Sequence, residues 1–151
     1  MMNILEFQKC ARWGGLIMLL FCVSALGFSF EQMDIRQSGS LWARIESNGD
    51  IRIRGSLKGR FESSGSVRKD GSLVGEIEND GIIRRNGSIV GRIEDDGTIR
   101  KSGSILGRIE SSGTIRKSGS IWGSVSDCCS GFDEMRAVAA VLVFFSPDYF
   151  D

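Results

Sequence analysis

Glutamate and arginine recur together along this chain at an offset of six residues: Glu46 with Arg52, Glu62 with Arg68, Glu78 with Arg84, Glu94 with Arg100, and Glu110 with Arg116. An arginine column of this kind can hold phosphates or other anions. Here a carboxylate accompanies each guanidinium, so the spacing predicts internal ion pairs on a solvated face rather than a nucleic-acid stripe. Exposed cross-strand pairs of this type contribute about 0.2–1 kcal/mol each. The overall charge agrees: 19 basic and 19 acidic side chains leave no net field to gather nucleic acid or an anionic membrane. Histidine is absent from the sequence, which removes the commonest general acid/base and the commonest metal ligand near neutral pH.

The other residues with chemical potential are few. Asp95 and Asp96, with Asn79 and Asp80 one unit earlier, carry oxygens of the type calcium takes, but short turns bring too few of them to one ion. Polar turn chemistry is the expectation there. Trp42 and Trp122 can stack on a sugar where exposed. Cys128 and Cys129 adjoin, a spacing at which bonding to each other is strained, and no histidine or further cysteine pair completes a metal site. They are expected as two small thiols, with an intermolecular disulfide open to an exported chain. No nucleophile elbow, phosphate loop or dinucleotide fingerprint is present. The residues thus point to a protein that is not an enzyme, with no catalytic, cofactor-binding or metal-binding residues.

What positions these residues is read from the glycines, of which there are 20 against a single proline. Gly49, Gly65, Gly81, Gly97 and Gly113 form one column with a period of 16 residues, and Gly39, Gly55, Gly71, Gly87, Gly103 and Gly119 form a second. Gly59, Gly75, Gly91, Gly107 and Gly123 form a third, in which Ala43 takes the first place. Around each turn glycine the apolar residues are mirror-symmetric. In "IESSGTI" Ile109 mirrors Ile115 about Ser112; in "IRKSGSI" Ile99 mirrors Ile105 about Ser102. Both patterns predict hairpins with three-residue loops and glycine last, where a left-handed backbone is needed.

The result is a continuous antiparallel meander of short and longer strands. A longer strand such as Ser104 to Glu110 is expected to turn Ile105 and Ile109 inward with Gly107 between them. Register advances at every repeat, so the sheet must coil, and closure would remove its edges. An all-β, pseudo-symmetric closed meander of short β-hairpins is therefore predicted, with a parallel β-solenoid as the alternative. The glycines of the third column are read as backbones crowding near a central axis. Trp42, Lys58, Val74, Val90, Leu106 and Trp122 form a column expected to face outward. It would be covered by the C-terminal segment or would serve as an interaction surface for self-association or a protein partner.

Three segments follow from the composition. Residues 1–32 are an apolar leader, read either as a secretory signal cleaved after Gly27, as an uncleaved membrane anchor, or as sequence preceding a true start at Met33. Those readings place the protein in the cell envelope or outside the cell, or else in the cytoplasm. Residues 33–127 are the β-repeat domain. Residues 128–151 are an apolar tail in which Ser130 and Asp133 suggest a capping box. The tail predicts a short apolar helix that plugs or caps one mouth of the assembly or of a neighbour's, with a terminal strand as the alternative for "VLVFF", and Pro147 ends either element.

The unit "xGxIRxxGSIxGxIEx", repeated from Asp34 to Asp127 and followed by "RAVAAVLVFF", resembles the bacterial β-flower proteins, small all-β proteins with four-fold and five-fold forms. The turns at Gly49, Gly65, Gly81, Gly97 and Gly113 make the five-fold form the nearer likeness. The resemblance implies a pseudo-symmetric flower of hairpins and brings no catalytic residue or established activity to carry over. The function expected is that of a non-enzymatic structural or interaction-mediating β-repeat protein. The alternative is a carbohydrate- or peptidoglycan-binding module using Trp42 and Trp122.

Overall fold

The computed structural model describes residues 31–151, so the leader readings, including cleavage after Gly27, lie outside the described residues. Twelve antiparallel strands form a closed barrel in which each strand pairs with its sequence neighbours and β1 pairs with β12. The strands are β1 (Met33–Gln37), β2 (Ser40–Ile45), β3 (Asp50–Ile53), β4 (Ser56–Phe61), β5 (Ser66–Lys69), β6 (Ser72–Ile77), β7 (Ile82–Arg85), β8 (Ser88–Ile93), β9 (Thr98–Lys101), β10 (Ser104–Ile109), β11 (Thr114–Lys117) and β12 (Ser120–Val125). The closed meander is as expected, and the solenoid is not the fold. Five linking turns join six hairpins, because the sixth joint is the closure of β1 on β12 itself.

The two turn classes differ from one another. At the linking end, Ile109 opposes Ile115, Gly113 N–H donates to Glu110 O at 2.9 Å, and Gly113 has φ +92°. This is the three-residue loop the spacing predicted. At the other end, Ser104 opposes Lys101 and Arg100 opposes Ile105, leaving only Ser102 and Gly103 as the loop, both with positive φ. These tips are two-residue type I′ turns, so the expected mirror of Ile99 with Ile105 is corrected.

A bulge follows each tip: Arg100 opposes Ile105 but Ile99 opposes Gly107, so Leu106 is the extra residue. A one-residue slip turns a strand over. Ile105 therefore faces out and Leu106 packs toward the core, the reverse of the alternation read from the sequence. The same holds for the whole outward column: Trp42, Val74, Val90, Leu106 and Trp122 are half-buried against the core, while Lys58 stays exposed. The bulged residues also stitch neighbouring hairpins, since Arg54, Asp70 and Ser118 N–H donate to Trp42, Lys58 and Leu106 O at 2.8–2.9 Å.

Inside the barrel, Ile45, Phe61, Ile77, Ile93, Ile109 and Val125 line the lumen nearest the linking turns, and Ile35, Ile51, Val67, Ile83, Ile99 and Ile115 form the next tier, all buried. Burying one such side chain is worth about 1.5–3 kcal/mol. Helix α1 (Phe132–Phe144) fills the lumen, and every residue from Met135 to Phe144 is buried. A one-turn helix, α2 (Pro147–Phe150), closes the chain with Tyr149 and Phe150 buried. Phe132 and Met135 lie beside Gly81 and Gly97 of the linking turns, while Phe144 and Phe145 lie beside Gly75 and Gly59. The helix thus runs through the barrel from the linking end toward the tips. No helix among the described residues is long and apolar enough to cross a membrane.

Candidate functional site

The tip-end mouth gathers Phe144, Phe145, Tyr149 and Phe150 of the tail with Trp42 and Trp122 of the wall. Four glycines of the third column, Gly59, Gly75, Gly91 and Gly107, stand where tail rings enter the wall, whereas Gly123 meets only the backbone of β1. A Cβ added at Gly59 would meet Phe145 Cζ at 2.5 Å, one at Gly75 would meet Phe144 Cε1 at 2.6 Å, and one at Gly91 would meet Phe150 Cζ at 3.2 Å. Gly107 makes the same room for the Tyr149 hydroxyl. The glycines therefore seat the rings of α1 and α2 as well as approaching neighbouring strands, a role the reading of crowded backbones at an axis does not contain. Trp122 completes the circle, 5.3 Å from Tyr149 and 5.5 Å from Trp42, each pair edge to face. Both tryptophans are thus engaged with other rings.

A ring of cations surrounds these aromatics. Lys69, Arg85, Lys101 and Lys117 hold the last inward position of successive short strands and lie over Phe145, Phe144, Phe150 and Tyr149 at 5.2–5.9 Å. Arg85, Lys101 and Lys117 also take up carbonyls that the end of a helix leaves without partners. Arg85 Nη2 donates to Val143 O at 2.7 Å and Arg85 Nη1 pairs with Asp151 at 2.9 Å. Lys101 Nζ donates to Phe150 O at 2.6 Å, and Lys117 Nζ donates to Asp148 O. The Tyr149 hydroxyl donates to Arg116 O at 2.8 Å, and burial pushes its pKa up. The sequence reading missed this cation column, although its 16-residue period was visible in Lys69, Arg85, Lys101 and Lys117.

On the outer face the five predicted Glu–Arg pairs are all formed. Arg52, Arg68, Arg84, Arg100 and Arg116 reach Glu46, Glu62, Glu78, Glu94 and Glu110 at 2.5–2.7 Å. Arg44 adds a pair with Asp34 at 2.7 Å, and its hydrogen bond holds the Asp34 carboxyl below the usual aspartate range. The acidic turn residues bind locally: Asp80 and Asp96 accept from Ile82 and Thr98 N–H at 3.2 and 3.0 Å. Asp96 is lowered chiefly by that backbone hydrogen bond from Thr98. No group of His, Cys, Asp and Glu among the described residues is arranged to hold a metal ion.

Among the described residues, the large apolar ones left exposed are six: Leu41, Leu57, Leu73, Ile89, Ile105 and Ile121, from 43% to 66% open. They stand just below the tips on the six longer strands, each opposite an arginine of the neighbouring short strand, as Leu57 is opposite Arg52. This aliphatic crown replaces the column led by Trp42 and Trp122 as the exposed apolar feature of the barrel.

The linking end is closed differently. Arg136 is buried, donates to Ile77 O, pairs with Asp133 at 3.0 Å and lies over the Phe61 ring at 5.7 Å. Cys128 and Cys129 are joined to each other as a disulfide, which corrects the expectation of two free thiols. The capping box is corrected as well: Gly131 is the N-cap of α1, and Ser130 N–H binds the Glu134 carboxylate at 2.8 Å instead of Ser130 serving Asp133. Compared with known proteins, the chain matches no family model, no curated protein and no solved structure.

Proposed function

We propose that this protein is a non-enzymatic β-repeat module, structural or interaction-mediating, whose working surface is the outside of the tip end. The observation that carries the reading is the aliphatic crown: six half-open leucine and isoleucine side chains on a barrel whose lumen is filled by its own helix. A lumen packed with Met135 to Phe144 leaves the outer surface as the place where specificity resides.

The glycan-binding alternative retains one support, the incomplete burial of Trp42 and Trp122. It is weakened by the edge-to-face packing of these rings on each other and on Tyr149, which occupies faces a sugar would need. Tryptophan emission during titration with peptidoglycan fragments and oligosaccharides, beside light scattering over a dilution series, separates the two. Concentration-dependent association or capture of a protein partner with no glycan response is expected. Saturable quenching by a glycan would overturn the reading.

A further inference from the structure

We infer that Asn86 with Gly87, at the tip of the hairpin β7–β8, is a site of spontaneous covalent modification: the asparagine converts through a cyclic imide to aspartate and isoaspartate, and the isoaspartate loosens the Arg85 anchor of the tail. The inference is independent of what the outer wall binds. Its chemistry needs water alone. The backbone nitrogen of Gly87 bonds to Asn86 Cγ, and Nδ2 leaves as ammonia with the proton that nitrogen gives up. Water then opens the imide ring at either carbonyl. Opening at the former side-chain carbonyl leaves aspartate. Opening at the former backbone carbonyl leaves isoaspartate, in which the main chain runs through the side-chain carbon. Glycine in the following position puts no side chain in the way of the ring closure.

Asparagine precedes glycine twice, at Asn48 and at Asn86, and the fold puts one pair in each class of turn. In the linking turn Gly49 is buried, its N–H donates to Glu46 O at 2.9 Å, and its carbonyl accepts from Phe61 N–H at 2.9 Å. The Asn48 amide is tied as well: Oδ1 accepts from Asp50 N–H at 3.0 Å and Nδ2 donates to Asp50 Oδ2 at 3.1 Å. At the tip Asn86 and Gly87 are both exposed. Among the described residues neither the Gly87 N–H nor the Asn86 side chain has a hydrogen-bond partner. Even the bond tying this tip to the next hairpin is long, 3.4 Å from Asn86 N–H to Val74 O, against 2.8–2.9 Å at Arg54, Asp70 and Ser118. Conversion at Asn48 must open the Glu46 bond and both side-chain bonds, each worth a factor of about two to ten. Conversion at Asn86 opens none of that kind. The product then acts on the tail. Arg85 and Ser88 are the closing pair of this hairpin, and Arg85 holds Val143 O and Asp151. Isoaspartate lengthens the main chain of the loop between them and shifts Arg85 against Ser88, whereas aspartate leaves the loop length as it was.

The test is peptide mapping by mass spectrometry of the full chain aged at neutral pH, native and in urea, with digestion at mildly acidic pH so that handling adds no conversion. Native Asn86 is expected to gain the mass of an amide-to-acid change at least about tenfold faster than Asn48. In urea, where neither turn persists, the two rates should converge to within about threefold. Ser102→Asn puts the same pair at another tip, held like Asn86 by a 3.4 Å bond, from Ser102 N–H to Val90 O. Ser112→Asn puts it in a linking turn where Gly113 is buried and its N–H donates to Glu110 O at 2.9 Å. The first should convert as Asn86 does, and the second should be protected as Asn48 is. Equal native rates at Asn86 and Asn48, or a Ser112→Asn site as fast as the Ser102→Asn site, overturns the assignment. A ratio that persists in urea overturns it too, because the neighbouring sequence and not the turn would then set the rate. The isoaspartate form, separated by chromatography, should unfold at lower urea than the Asn86→Asp variant. Equal urea midpoints for the two overturn the link to Arg85.

Discussion

At Gly75 and Gly71 the same residue type does two different jobs. Gly71 sits at a tip with φ +82° and open space where a Cβ would be, so its requirement is a left-handed backbone, which asparagine also accepts. Gly75 has Phe144 Cε1 2.6 Å from that position and the Arg84 carbonyl closer still, so its requirement is volume. Gly71→Asn should change stability by well under about 1 kcal/mol, whereas Gly75→Ala should cost about 1–3 kcal/mol by overpacking. Urea unfolding of the two variants checks the contrast, and equal costs would refute the seating of Phe144 by Gly75. A second residue-scale expectation concerns acid. Asp34 is held below the ordinary aspartate pKa of about 3.9 by Arg44. Its contribution is present above that unfolded-state value and is lost as pH falls through the lower folded-state value. Asp34→Asn should thus reduce stability at neutral pH and lose that part of the acid dependence, which a urea midpoint measured from pH 2 to 7 would show. The Glu–Arg pairs were legible because each spans an unbulged, three-residue-loop register. The cation column was not, because its partner is a tail with no repeat.

At the scale of the element, the hairpins show how far alternation carries. Apolar symmetry about Ser112 gave the right loop, since nothing interrupts Ile109 and Ile115. Symmetry about Ser102 gave the wrong one, since a bulge adds Leu106 and reverses the faces of everything between it and the tip. Counting by twos cannot detect an extra residue, and the type I′ turn revealed itself only through positive φ at both loop residues. Arg54 is the tip residue least suited to that conformation, with φ 49°. Arg54→Asn should stabilise the barrel by about 0.5–1 kcal/mol. A higher midpoint of thermal unfolding in the variant checks this. The helix was legible as an apolar segment with no polar face, but its anchors were not. Arg85→Met deletes the bond to Val143 O, the pair with Asp151 and the contacts with Phe144 and Phe150. A charged hydrogen bond to a helix end is worth about 1.5–3 kcal/mol, so a loss of that order is expected in denaturant unfolding. The exposed Arg92, on the same barrel, should tolerate methionine.

The whole molecule is sized by its helix. A closed barrel's radius grows with strand number at about 4.8 Å per strand around the circumference, so twelve strands enclose a wider lumen than ten by about 1.5 Å in radius. That difference is about one carbon–carbon bond length on every side of α1, whose residues Ala137 to Leu142 are fully buried. Six hairpins are therefore the number that lets this helix, with alanine at 137, 139 and 140, pack against two tiers of isoleucine. Deleting residues 82–97 removes one repeat in phase, joining Gly81 to Thr98 as Gly97 was joined. Every turn and register of the remaining five hairpins would stay intact. If local repeat energetics decided the fold, the shortened chain would close as a smaller barrel with its helix in place. If the helix sets the size, the shortened wall cannot close around α1, and the variant should lose cooperative unfolding and near-ultraviolet dichroism from Trp42 and Trp122 while keeping strand content. Retention of both signals in the deletion variant would show that closure is dictated by the hairpins alone.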